Sequence, residues 1–155
     1  MEAKTLSPKR QKANIQNEKW IRGKVKTKVL VADDDSLVLD IISFALEETG
    51  KYEVLHAPDG EEALATFVSD PQICIVISDV NMPKMGGLEL LKAIRAQDSK
   101  IPFLVMSGNV DKAVAVSALA LGATSFMSKD KGFFESIAIW VNRWAPENGE
   151  MASPH

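Results

Sequence analysis

From position 29 onward, short apolar runs alternate with longer segments of helical period. Residues 29–32 (VLVA) are apolar without interruption and lead into three acids, whereas Leu37, Val38, Ile41, Ile42, Ala45 and Leu46 recur at helical spacing and stop before Gly50. One strand and one helix are predicted. Residues 52–57 predict a second strand, and Asp59, three positions before Glu62, has the form of a capping box that opens a helix through Ala63, Leu64 and Phe67. Residues 73–77 are apolar at every position, as in a strand buried on both faces of a parallel sheet. Leu88, Leu91 and Ile94 mark the helix that follows. Residues 103–106 come after Pro102, which can begin a strand but not sit centrally in one, and an Ala- and Val-rich helix is predicted over residues 110–121. A fifth strand over residues 125–127 and a fifth helix over 132–144 complete the series.

Five strands alternating with five helices through short loops predict a doubly wound α/β domain with right-handed crossovers. In such a sheet, ligands bind at the carboxyl ends of the strands, near the point where strand order reverses. The polar residues fall there. Asp33, Asp34 and Asp35 follow the first strand, Asp79 ends the third, Ser107 the fourth and Lys129 the fifth.

Composition narrows the picture. With 155 residues, 46% apolar and 25% charged, the chain has the balance of one soluble globular domain. No apolar run approaches the length of a membrane span and no signal-peptide block opens the chain, so a cytoplasmic location without membrane insertion is expected. Cys74, the single cysteine, sits inside an apolar run and reads as a small buried hydrophobe. The net charge of −3 is split: residues 1–28 carry nine Lys or Arg against two Glu, a net +7, and residues 29–155 carry nine against nineteen acids, a net −10. A basic arm over 1–25, too poor in large apolar side chains to build a core, is expected to be disordered ahead of a domain over 26–145 and a short tail over 146–155. Lys and Arg clusters can bind phosphate backbones, but the chain has no helix-turn-helix or other reading motif, and nucleic acid is not an expected partner.

Any one of the strand-end acids reads as a loop residue or a helix cap, and Asp35 or Ser36 is expected to cap the first helix. Together they read differently. Carboxylates leaving two strands, with a hydroxyl and a lysine on two more, converge on one spot. Carboxylates crowded together repel one another unless a cation is present, and a hard divalent ion, Mg2+, suits a shell of one or two carboxylates, a carbonyl and waters. Given such an ion, phosphoryl oxygens can be held by the metal, the Ser107 hydroxyl and the Lys129 ammonium, and an aspartate can act as nucleophile to form an acyl phosphate.

The runs KVLVADDDSL (28–37), ISDVNMPKMGGLELL (77–91), FLVMSG (103–108) and GATSFMSK (122–129) resemble the receiver domains of two-component response regulators, over about residues 26–145. Around Asp79 the resemblance to single-domain chemotaxis regulators is particularly close. It implies a flavodoxin-like sheet of strand order 2-1-3-4-5. It also implies Asp79 as phosphoacceptor, ahead of the Met82, Pro83 and Gly87 turn. The metal ligands would be Asp34, Asp33 through water, Asp79 and the backbone carbonyl of Asn81. Ser107 would be the switch hydroxyl, Lys129 the phosphoryl contact and Phe126 the aromatic whose rotamer follows the switch. One position departs from the pattern. Where the family usually has proline, commonly after a cis peptide, Lys129 is followed by Asp130, so either a trans bond with an altered loop or local strain is expected.

A metal-dependent hydrolase of the haloacid dehalogenase type is the competing reading, since Asp33 and Asp35 have the spacing of its nucleophile and general acid. It leaves Asp79 and the turn after it unexplained, and after Lys129 the acids Asp130, Glu135, Glu147 and Glu150 are unpaired. The receiver reading implies a signalling phosphoacceptor that assists its own phosphorylation and dephosphorylation. Its partners would be a histidine kinase or phosphotransfer protein and a downstream protein target. Only about ten residues follow the fifth helix, too few for an effector domain, so output is expected through another protein or the arm. In the fifth helix Phe134, Ile137, Ala138 and Val141 predict a core-facing stripe. Phe133, Ile137, Trp140 and Trp144 form a second stripe, and Trp140 and Trp144 are the candidate output face for a partner, a homodimer, or Trp20 and Ile21 of the arm.

Overall fold

The first apolar run becomes β1 (Thr27–Ala32), whose residues from Val29 to Ala32 have no exposed surface. A computed structural model describes residues 25–97, 99–109 and 111–146. Apart from Val25 and Pro146, the basic arm and the tail lie outside the described residues, as do Trp20 and Ile21. After β1 come α1 (Ser36–Glu47), β2 (Tyr52–Ala57), α2 (Gly60–Ser69), β3 (Ile73–Asp79), α3 (Gly87–Arg95), β4 (Phe103–Ser107), α4 (Lys112–Ala120), β5 (Ser125–Ser128) and α5 (Phe133–Trp144). Helix starts follow the capping chemistry. Asp35 accepts the Leu37 N–H at 3.0 Å and Asp59 accepts the Glu62 N–H at 2.9 Å, each satisfying a donor that the first helical turn leaves free.

All strand pairs are parallel, in the order β2-β1-β3-β4-β5. The order reverses between β1 and β3, which opens the crevice at their carboxyl ends. Each face of the sheet is buried by its own helices. Leu39, Ile42 and Leu46 of α1 and Phe133, Ile137, Trp140 and Val141 of α5 cover one face, and Ala63, Phe67, Leu90, Leu91, Ile94 and Ala118 of α2, α3 and α4 cover the other. This is the predicted doubly wound architecture. β3 runs two residues past the apolar run that ends at Ile77, to the expected strand end at Asp79, and carries Ser78 and Asp79 into the buried layer.

The fifth helix turns its predicted stripe to the core and buries Phe133 and Trp140 of the second stripe as well. Its buried residues are Phe133, Ile137, Trp140 and Val141, while Phe134 and Ala138 are half-buried. Trp140, expected on a free face, is therefore core: it is 8% exposed, and its indole N–H donates to Ser125 Oγ at 2.9 Å. The indole reaches the start of the four-residue β5, where the Ser125 hydroxyl satisfies the ring's one polar atom. Of the two tryptophans assigned to an output face, only Trp144, at 43%, is exposed. The Lys129–Asp130 peptide is trans, as are all the described peptide bonds. No helix among the described residues is long and apolar enough to cross a membrane.

Candidate functional site

Because β1 and β3 are neighbours, the acids at their ends meet. Asp33 is wholly buried, Asp79 is 7% exposed and Asp34 faces solvent. Each of the three offers a carboxylate oxygen, and these oxygens all lie within 4.8 Å of one another. Lys129 reaches in from the end of β5, its Nζ 2.5 Å from Asp33 Oδ2 and 3.1 Å from Asp79 Oδ1. The other Asp33 oxygen accepts the Asp35 N–H at 2.9 Å, so the first acid is held from both sides.

The electrostatics are uneven. Burial pushes the Asp79 pKa above its ordinary value and Asp33 adds to the rise, while Lys129 and the Val80 N–H oppose it without cancelling it. For Lys129 burial works to depress the pKa, but the hydrogen bond to Asp33 and the charges of both acids outweigh it and leave the pKa raised. Two of the three carboxylates, Asp33 and Asp79, thus share one ammonium, and Asp34 adds a third negative charge beside them. An all-oxygen donor set with surplus negative charge, open to solvent on the Asp34 side, fits a hard divalent cation that keeps part of its water shell.

The backbone around Asp79 is clamped. The Val80 N–H donates to the Met106 carbonyl at 2.9 Å, and the Ser78 hydroxyl donates to the Asp79 carbonyl at 2.9 Å. A Cβ on Gly87 would stand 2.0 Å from that carbonyl oxygen, so only glycine lets α3 start this close to β3. Sequence reasoning missed Ser78, although a hydroxyl inside a strand buried at every position was a signal that it binds something.

Ser107 is 4% exposed, and its hydroxyl donates to the Asn109 carbonyl at 2.9 Å and accepts the Asn109 N–H at 3.3 Å. The Lys129 N–H donates to the Ser107 carbonyl at 2.8 Å, which joins the two strand ends that carry the hydroxyl and the lysine. Phe126 stands apart from the cluster: it pairs with Val105 in the ladder and packs, half-buried, on the α2–α4 side of the sheet. Asn81 is exposed in the loop after β3. Asp33, Asp34, Asp79 and Lys129 are thus brought together, Ser107 flanks them, and Trp140 and Trp144 lie on α5 outside the group.

Comparison with known proteins shows the family. The sequence model of the response regulator receiver domain matches residues 29–137. The transcriptional regulatory protein FixJ of Bradyrhizobium diazoefficiens is 38% identical over 104 residues, which cover 67% of this chain and 50% of that protein. A probable chemotaxis protein CheY of Rhizobium etli is 35% identical over 106 residues, covering 67% of this chain and 81% of that one. Among solved structures, the chemotaxis protein CheY4 of Vibrio cholerae superposes with a TM-score of 0.70 at 34% identity, covering 77% of this chain and 98% of that one. The chain spans about half the length of the transcriptional regulators it matches. It belongs to the response regulator receiver domain family.

Proposed function

We propose that this receiver accepts a phosphoryl group on Asp79 in a Mg2+-dependent reaction and signals through phosphorylation-dependent binding of another protein. The observation that carries this reading is the meeting of three carboxylates with one lysine at the strand ends where the sheet reverses order. Asp34, Asp79, the Asn81 carbonyl and Asp33, the last through water, would hold the ion. When bound, it supplies positive charge for phosphoryl oxygens and offsets the repulsion among the acids. The Asp79 carboxylate attacks the phosphorus of a phosphohistidine on a kinase or phosphotransfer protein. A P–O bond forms, the P–N bond breaks, and the imidazole nitrogen leaves with the electron pair. Lys129, already in contact with Asp79, stabilises the charge that develops there. The Ser107 hydroxyl exchanges its bond to Asn109 for a phosphoryl oxygen, and the half-buried Phe126 moves with it.

On this reading the protein is a signalling phosphoacceptor, not a turnover enzyme, that assists its own phosphorylation and dephosphorylation. Incubation with acetyl phosphate and Mg2+, followed by intact-mass measurement, should show one added phosphoryl group, absent from Asp79→Asn. Equal labelling of that variant would sink the assignment.

A further inference from the structure

The loop from β3 to α3 carries Asn81, and its far end rests on a different element. The N–H of Gly60, the first residue of α2, donates to the Met85 carbonyl at 3.1 Å. A Cβ at position 60 would lie 2.2 Å from that oxygen and 2.7 Å from Met85 Cβ. Backbone conformation does not require glycine here, because the described glycines with positive φ are Gly50, Gly122 and Gly132. The close approach of the Met85 backbone, not the conformation of residue 60, is therefore what makes alanine the worse residue there.

A second tie lies beside the first. Asp59 is 4% exposed, and while one of its oxygens caps α2, the other is 3.6 Å from Lys84 Nζ. Lys84 is the one non-glycine residue among the described residues in the left-handed region, at φ 67°. The ion pair therefore falls on the residue whose backbone is strained. The Gly87 N–H donates to the Val80 carbonyl and ties the two ends of the loop together, and the Val80 N–H donates to the Met106 carbonyl, both at 2.9 Å. Asn81, Met82 and Pro83 are suspended between these two anchorages.

We propose that Gly60, with the Asp59–Lys84 ion pair beside it, is a positioning residue of the carboxylate site. It holds the loop that carries Asn81 in one place against α2, and with it the position that the Asn81 backbone takes relative to an ion bound by Asp33, Asp34 and Asp79. The inference rests on the Mg2+ reading above. Groups that hold metal ligands in place typically contribute tenfold or more to affinity, and about a tenfold weakening is expected when Gly60 is replaced by alanine.

The test is a Mg2+ titration of the full chain, followed by the backbone amide resonances of Asp79 and Asn81, with thermal unfolding of each metal-free variant as a second readout. A parent that takes up no Mg2+ defeats the reading of the site itself, and this inference with it. Where the parent binds and folded Gly60→Ala binds equally well, the site stands and the positioning role alone is overturned. Should Gly60→Ala fail to fold, Lys84→Met decides by sign. Removing a cation near a cation site tightens binding if charge alone matters, whereas a loosened loop weakens it about twofold, the scale of an ion pair whose lysine is exposed to solvent. Unchanged or tighter binding by Lys84→Met overturns the proposal.

Discussion

The two sides of the sheet are built to different standards. Every residue of β3 is buried, as is β1 from Val29 onward, whereas all four residues of β5 are only half-buried. The helices follow suit. α3 buries Leu90, Leu91 and Ile94, but α4 contributes only Ala118 to the core and leaves Val116 and Leu119 exposed. Asp33 and Asp79 stand on the well-packed side, while Lys129 and Phe126 stand on the looser one. Elements with few buried apolar contacts open at lower free energy than the core. The difference teaches a division of labour: Asp33 and Asp79 are held in rigid packing, the β5 side has room to repack, and Lys129 is the tie across the boundary.

The largest effect should come from striking the fixed half at its chemistry. Asp79→Asn should abolish acetyl-phosphate labelling, and Asp34→Ala should reduce it strongly, in both cases with the fold retained. Intact mass and far-UV circular dichroism check this together. Labelling that survives Asp79→Asn, or that is unaffected by Asp34→Ala, would remove the acid cluster from the mechanism.

Packing gives the next largest contrast. Ile77→Ala, at a site with no exposed surface in β3, should destabilise by about 2–5 kcal/mol, against about 0.5 kcal/mol or less for Val116→Ala on the exposed face of α4. Urea unfolding of the two variants compares the halves directly. Similar losses would mean that α4 is anchored as firmly as β3.

Lys129→Ala tests the tie itself. The acids remain, so Mg2+ should still bind, but labelling should slow. The amide shifts that a phosphate mimic such as beryllofluoride induces in β4 and β5 should shrink, because the ammonium joins Asp79 to the β5 side. A full response in the variant would show that Ser107 alone carries the signal across.

The sequence made the fixed half legible and the loose half much less so. A run apolar at every position has few alternatives to a buried parallel strand, and acids following such runs in a doubly wound sheet can only gather where Asp33, Asp34 and Asp79 do. In α5, by contrast, two overlapping apolar stripes fit helical spacing equally well, and Trp140 joins the core where Ser125 offers its indole a partner. No local pattern encodes that. The seat of Met85 on Gly60 was equally invisible, since it joins residues of different elements through backbone atoms. The orientation of the Ser107 hydroxyl towards Asn109 likewise depends on the fold of the loop after β4.

The smallest expected effect concerns what the fixed acid costs the fold. Burial raises the Asp79 pKa above the ordinary carboxylate value of 3.8 despite the attraction of Lys129. Below that value the carboxyl is protonated in both the folded and unfolded chain, and it contributes no difference. Between that value and the raised one, the folded protein keeps a proton that the unfolded chain has released, so stability falls as pH rises through the interval. Above it the full cost of the buried charge is present. Asparagine has no proton to lose, so Asp79→Asn should unfold at a higher temperature than the parent at neutral pH without Mg2+. The difference should vanish as the pH falls below 3.8. Adding Mg2+ should close the gap at neutral pH from the other direction, because an ion that binds only the folded parent stabilises it. A variant less stable than the parent in metal-free neutral buffer would show that the Lys129 ion pair outweighs burial, and that Asp79 is held by attraction rather than against the cost of its own charge.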